Sequence, residues 1–457
     1  MLDVRRPPTR TAARTLLVAA VGCQLALTAA LYAGPHAGLD IPRAGVLQPL
    51  NAVPFAVAIL ALARSGISRR TTAILVVAVT AALQLLALAQ PPLTSNDDLR
   101  YLWDGKVQLA GVDPYRYAPD DPALAGLHEP GLFAGFGQDG CDLPAGCALL
   151  NRPSVHTVYP PAAQGVFDLV RVVTFGGHAA YDGQQAFQVA AALAVVLLTL
   201  LLLRRCRRRG DPAWWPALWG WCPVVVSELS NNAHIDWVAI LLCYAALGAY
   251  AAAKPAWAGA LVGAAVATKI YPVLIGPTLL RRHPVTVLAA AAAVGIAGYL
   301  PHVAAVGTQV IGYLPGYLHE EGYANGNRLT LVGLIAPHPL DSVLGALLVA
   351  AAAWCCWRRT DPDRPEIAAV WLVGVAFLVF TPGYGWYAAL LVALVAMTGR
   401  WYWLPVALAP TCVYLYARSG HASAAMYGAA LVAALACWWG WRRAHPEGPR
   451  GCGMLAT

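Results

Sequence analysis

What this chain has least of is charge: Asp, Glu, Lys and Arg make up 12% of its 457 residues, against 59% hydrophobic residues. Soluble domains carry about 25% charged residues, so the polar surface needed to face water on every side is missing. That excludes an ordinary soluble enzyme. Also missing are an internal repeat, a low-complexity linker and a separable soluble domain, so residues 1–457 read as one domain. What fills the chain instead is a series of apolar runs of about 18 or more residues, each long enough to cross a hydrocarbon core of about 30 Å. Ala, Leu and Val dominate them. Gly and Pro recur inside them, which lipid-embedded helices tolerate. The expected fold is an all-α polytopic membrane protein.

Spans are expected at 15–33, 46–63, 71–89, 185–203, 212–228, 235–253, 255–268, 270–280, 284–300, 340–357, 366–381, 384–398, 401–416 and 422–441. That is about 12 to 14 crossings, depending on how the short ones count. The net charge of +8 suggests a polyanion until the basic residues are placed. With the amino terminus in the cytoplasm, the inner turns collect Arg5, Arg6, Arg10, Arg14, Arg64, Arg69, Arg70, Arg204–Arg209, Lys254, Arg281, Arg282, Arg358, Arg359, Arg364 and Arg400, and the tail 442–457 adds Arg442, Arg443 and Arg450. The basic excess therefore follows the positive-inside rule and implies a lipid bilayer as partner, with no nucleic acid.

Two stretches resist a simple crossing. Residues 159–175 are apolar but contain Asp168 and Arg171, each costing roughly 3 kcal/mol at a helix centre. They are expected as an amphipathic helix on the outer surface, closing an extracytoplasmic loop over 93–183. The pair 255–268 and 270–280 meets at Lys269-Ile270-Tyr271-Pro272 and reads as a broken hairpin that turns Lys269 outward or into a cavity. The first span lacks a convincing small-x-small cleavage site, so it is expected as a retained helix rather than a signal peptide.

A connection as long as 93–158 is usually functional. It opens with TSNDDLRYLWDGKVQLAGVDPYRY. In a helix, Asp97, Arg100, Tyr101 and Asp104 share one face by i, i+3 and i+4 spacing. A carboxylate at the membrane rim can take a proton from an attacking hydroxyl, which is general-base work. The plain alternative is that Asp97 and Asp98 cap the helix. The loop closes with LNRPSVHTVYPP, whose prolines force an extended entry into the next helix. His156 could meet a phosphate there, although a lone loop histidine is more often hydrated.

Three further polar clusters fall on the same outer side: Glu228, Asn231, Asn232, His234 and Asp236 in SELSNNAHIDW; Lys269 in ATKIYP; and Tyr384, Trp386 and Tyr387 in TPGYGWY. A weaker one is Asn325, Asn327 and Arg328 in the loop 301–328. Ionisable groups at membrane depth are functional candidates. Lys269 and Arg328 can hold a phosphate by charge-assisted hydrogen bonds, and His234 can do so or donate a proton. Interfacial aromatics are ordinarily belt residues; it is their convergence with the charges on one side that points to a site. Most of the 11 cysteines stand singly in apolar runs as buried thiols. Cys141 and Cys147, in GCDLPAGC of the outer loop, are expected as a disulfide, since zinc would need a second ligand pair.

The order of RYLWDGKVQLAGVDPYRY, LNRPSVHTVYPPAAQGVF, NNAHIDWVAILL, ATKIYPVL and TPGYGWY over about 90–400 resembles the actinobacterial polyprenyl-phosphate-mannose-dependent mannosyltransferases of the GT-C membrane glycosyltransferase superfamily. The resemblance implies a GT-C-like bundle with a large first catalytic outer loop and surface helices. It implies inverting transfer of a hexose, mannose by analogy, from a polyprenyl-phosphate donor to a hydroxyl of a glycolipid, polysaccharide or protein, with no cofactor and no metal. It implies an acidic base in the first outer loop. Asp97 matches that position best, and Asp98 is second. Arg100, His234 and Lys269, with Arg328 from the outer loop, are expected on the donor phosphate. Trp103, Asp104, Tyr159, Asp236, Tyr271, Tyr384, Trp386 and Tyr387 are expected on sugar or acceptor. The setting is the cell membrane, with the active site extracytoplasmic. Two extra spans before the acidic loop depart from many relatives. A flippase of lipid-linked sugars, and a glycan ligase or polymerase, are the rival readings; a flippase usually shows two related halves and a midplane site.

Overall fold

The computed structural model describes residues 9–34, 39–129, 132–133, 150–174, 180–323 and 328–444. Cys141 and Cys147, with Asn325 and Asn327, lie outside the described residues, and so does the disulfide expected of the cysteines. Among the described residues the chain is helical, with no strand.

Helices α1 (Arg10–Leu31) and α2 (Ile41–Arg64) form a hairpin, and α3 (Arg69–Ala87) returns beside them. Local chemistry starts these helices. Asp40 accepts from the Arg43 N–H at 3.1 Å, and Ser68 accepts from the Thr71 N–H at 3.1 Å, each satisfying an orphan donor of a first turn. Helices α4 (Asp97–Leu109) and α5 (Pro161–Val173) lie in the long connection after α3, and the long apolar α6 (Ala180–Arg209) follows. A short helix α7 (Ala217–Gly220) and a π turn over Val225–Asn231 lead into α8 (Asp236–Ala251). Then come α9 (Pro255–Val266), a 3-10 stretch over Tyr271–Leu279, α10 (Pro284–Val306), α11 (Leu314–Glu320), α12 (Leu340–Arg359), α13 (Pro365–Phe380), α14 (Ala388–Thr398), α15 (Leu404–Tyr416) and α16 (Gly420–Ala444).

Among the described residues, seven helices are long and apolar enough to cross a membrane. An eighth crossing results if the π turn and α8, bent by 114°, are taken as one broken span. Of the other expected crossings, 255–268, 366–381 and 384–398 form the shorter apolar helices α9, α13 and α14, 401–416 forms the 13-residue α15, 270–280 is the 3-10 stretch, and 212–228 is no single helix but α7 and the start of the π turn. The broken hairpin is present, with Lys269 at the break and 3-10 geometry after it. Within the stretch expected as an amphipathic helix, Pro161–Val173 form α5. Phe167 and Arg171 are buried, whereas Leu169, Val172 and Val173 are exposed. Arg171 avoids the cost of an isolated buried charge by pairing with Glu129 at 3.1 Å. Close approach of α4 and α5 requires Gly105, where a Cβ would come within 2.6 Å of the Phe167 carbonyl oxygen.

The outer surface of the bundle is apolar, as a lipid-facing surface must be: Val285, Ile296 and Leu300 on α10 are all exposed. The basic turns meet at one end. Arg69 donates to the Cys206 carbonyl, Arg14 to that of Ser65, Arg209 to that of Asp363 and Arg205 to the Glu366 carboxylate. Helix α3 starts at this basic end and finishes, at Ala87, beside the polar clusters.

Candidate active site

At the end of the bundle away from the basic turns lies a cavity of about 560 Å³. Its construction begins at the π turn. Such turns recur at functional sites because they re-aim side chains within a helix. Here Asn231 and Asn232 are turned inward. Asn231 donates to the Ala87 carbonyl at 3.0 Å, and its amide oxygen accepts from the Leu93 N–H at 2.9 Å. Asn232 accepts from the Thr94 N–H at 3.1 Å. The Tyr414 hydroxyl donates to the Thr94 carbonyl at 2.7 Å. The stretch joining α3 to α4 is therefore pinned at Leu93 and Thr94, shortly before Asp97, which opens α4 where the helix dipole favours an anion.

Asp97 faces the cavity, 18% exposed. It accepts a short hydrogen bond from the Asn151 amide. Lys269 also lines the cavity, its Nζ 3.3 Å from Asp236 and 5.6 Å from the Tyr159 ring centre. Tyr271, Tyr384, Trp386 and Tyr387 complete an aromatic wall, with Tyr384 stacked on Trp386 at 4.4 Å. Tyr317, from α11, caps it by a 2.7 Å hydroxyl contact with Tyr387. A second side is apolar, formed by Ile270, Leu274, Ala376, Phe377 and Phe380. One chamber thus offers a carboxylate, a cation, aromatic faces that suit a sugar ring and a greasy flank. Backbone strain gathers around it: Arg152, Ala233 and Thr381 hold positive φ without being glycine, a cost typical of functional sites.

Several expected site residues sit elsewhere. Asp98 is fully buried and turned away from the cavity; Gln184 lies near it, but neither carboxylate oxygen has a well-formed hydrogen bond. His234 is fully buried beneath Trp386, ring centres 4.1 Å apart, so it does not reach a donor phosphate directly. Arg100 reaches the cavity edge, but three of its N–H groups are committed, to Asp104 at 3.0 Å and to the Arg152 and Val155 carbonyls at 3.2 and 3.0 Å. Its guanidinium holds the loop that carries Asn151. Asp104 is buried as the partner of Arg100, Thr157 and Gln164. Trp103 packs in the loop's own core, on Phe133 at 4.9 Å and His128 at 5.5 Å. Asp236 lies buried behind Lys269. Arg328 pairs with Glu321 and covers the Tyr384 ring at 5.4 Å, behind the wall.

Asn151, Arg152 and Tyr317 line the cavity without having been singled out in the sequence. Arg152 adds a second cation, paired with Glu320 at 3.0 Å and with its pKa held up by that neighbour against the effect of burial. The signal was available: LNRPSVHTVYPP closes the long polar loop that the acidic pair opens.

Burial, reinforced by the Asp97 charge, raises the pKa of Asp98 from 3.8 to about 7. A carboxyl raised in the folded state contributes most below the unfolded value, and that contribution falls as pH rises toward 7. Asp98→Asn should therefore raise the melting temperature in detergent at about pH 8, by a few degrees, and leave it unchanged near pH 4. Thermal unfolding at the two pH values checks this.

Among the described residues, the multi-helix bundle thus carries a polar chamber that combines a carboxylate with a cation beside an apolar flank, the parts of a membrane enzyme's site. Residues 158–382 match the family model of glycosyltransferase family 87, just under half of the chain. The match indicates a membrane glycosyltransferase; it covers His234 and Lys269 and begins after Asp97. No curated protein and no solved structure matches the chain.

Proposed function

We propose that the protein transfers a hexose, mannose by its resemblance, from a polyprenyl-phosphate donor to a hydroxyl of a glycolipid, polysaccharide or protein, with inversion, at the outer face of the cell membrane. The observation that carries this reading is the single cavity holding Asp97 and Lys269 beside the apolar flank of Leu274, Phe377 and Phe380. A polyprenyl phosphate needs all three features: a greasy path for its tail, a cation for its phosphate and a base for the acceptor. Lys269 is assigned to the phosphate, where it stabilises the anion that forms as the C1–O bond breaks. Asp97 is assigned as the base that takes the acceptor proton. The aromatic wall of Tyr384, Trp386 and Tyr387 receives the sugar. Because the phosphate leaves as a stabilised anion, no acid is required on its side.

The test incubates purified protein with radiolabelled polyprenyl-phosphate mannose and a cell-envelope glycolipid extract. Free polyprenyl phosphate with labelled product supports the reading. Donor moved across proteoliposomes but left intact would replace it with a flippase. Sidedness has its own check: Arg207→Cys should react with an impermeant maleimide only from the cytoplasmic side, and labelling from outside would invert the topology.

A further inference from the structure

We infer that His234 is a positioning residue for this transfer: it lies between Asp97 and Glu228 and receives, through Asp97, the proton that leaves the acceptor hydroxyl. The inference rests on Asp97 being the base. His234 Nδ1 stands 3.7 Å from Asp97 Oδ2, and Nε2 stands 3.5 Å from Glu228 Oε2. Both ring nitrogens are buried with no hydrogen-bond partner, a costly state for an imidazole unless a proton joins it to these carboxylates. The distances exceed hydrogen bonds by a few tenths of an ångström, as is common for catalytic groups before substrate binds.

The surroundings enforce this placement. Glu228 is nearly fully buried and cannot reach the cavity. It accepts from the Asn232 amide at 3.2 Å. Its backbone carbonyl takes the His234 N–H at 3.1 Å. Gly385 comes so close that a Cβ would stand 2.7 Å from Glu228 Oε1, so the second glycine of TPGYGWY makes room for this carboxylate. Ala233 holds a left-handed φ of 57° immediately before His234. That strain turns the chain at the 114° bend and aims the imidazole back under Asp97. Trp386 seals the ring from the chamber, so His234 acts only through Asp97.

The proton count closes. Glu228, as a carboxylate, accepts the Nε2 proton and fixes the tautomer whose Nδ1 lone pair faces Asp97. The acceptor oxygen bonds to the sugar C1 while the C1–O(phosphate) bond breaks, and that electron pair stays on the phosphate. The hydroxyl proton goes to Asp97 and is then shared with, or passed to, Nδ1. The resulting imidazolium sits between two carboxylates, and the proton returns to water through Asp97 after product leaves. The groups that face the imidazole are Asp97 and Asp98 from α4, Glu228 from the π turn and the uncharged Trp386; Tyr414 of α15 lies near both Asp97 and Glu228.

The test measures the pH dependence of kcat and the donor KM for the full chain in nanodiscs, with polyprenyl-phosphate mannose as donor. Four proteins are compared: wild type, His234→Gln, Glu228→Gln and Asp97→Asn. His234→Gln should lower kcat by roughly 10- to 100-fold, less than loss of the base itself, with KM within about twofold. Its acidic limb should move to lower pH, because the proton taken by the base is then no longer shared with the imidazole. Glu228→Gln, nearly isosteric, should shift the limb in the same direction by less and guards against a His234 variant that fails to fold. An unchanged acidic limb in both variants, with Asp97→Asn inactive, overturns the role of His234 alone. An active Asp97→Asn overturns the underlying assignment of the base.

Discussion

Asp97→Asn should abolish transfer while leaving donor binding intact. The amide keeps the size of the carboxylate and can still meet the Asn151 amide, now through its own oxygen, so the chamber keeps its shape. What it loses is the capacity to take a proton, and loss of a general base typically costs about 10² to 10⁴ in rate. Donor affinity, measured by competition with labelled polyprenyl phosphate, should stay within about twofold. A variant that loses binding and turnover equally would show Asp97 to be a donor ligand instead.

Lys269→Ala should behave differently, weakening donor binding and slowing phosphate departure together. One cation serves the ground state and the transition state, and a charge-assisted hydrogen bond removed from such a site costs about 1.5 to 3 kcal/mol, roughly 10- to 100-fold in affinity. Removing the ammonium also leaves Asp236, fully buried 3.3 Å away, without its counterion, and that penalty falls on folding. The double variant Lys269→Ala with Asp236→Asn separates the two effects. It should regain thermal stability and stay poor in donor binding. Recovery of donor binding in the double variant would mean that Lys269 serves Asp236 and not a phosphate.

Much of this arrangement was legible in the chain. Sparse charge and long apolar runs gave the helical membrane bundle, and the basic turns do gather at one end of it. Asp168 and Arg171 marked α5 as a surface helix. The break at Lys269 was readable from its proline and short flanks, and Lys269 does line the cavity. What could not be read was side-chain direction on buried elements. Asp97 and Asp98 are neighbours, but successive helical residues point about 100° apart. One therefore opens onto the chamber while the other is enclosed by protein. The i, i+4 spacing put Arg100 and Asp104 on one face; it did not tell that they would pair with each other, or that two loop carbonyls would occupy the rest of the fork. Asn231 and Asn232 looked like site residues because they are polar at membrane depth. Their role is to hold the backbone before Asp97, a role visible only once α3 and the π turn are side by side. Nor could the sequence tell that His234 lies beneath Trp386 rather than on the cavity wall.

The most direct test is a cryo-electron microscopy map of the protein in nanodiscs with a non-hydrolysable polyprenyl-phosphate mannose analogue. The account requires the phosphate within hydrogen-bond reach of Lys269, the prenyl tail along Leu274, Phe377 and Phe380, and the sugar C1 open to a hydroxyl held by Asp97. A phosphate bound among the basic turns near Arg205 and Arg209, or a sugar lodged at the bilayer midplane, would contradict it.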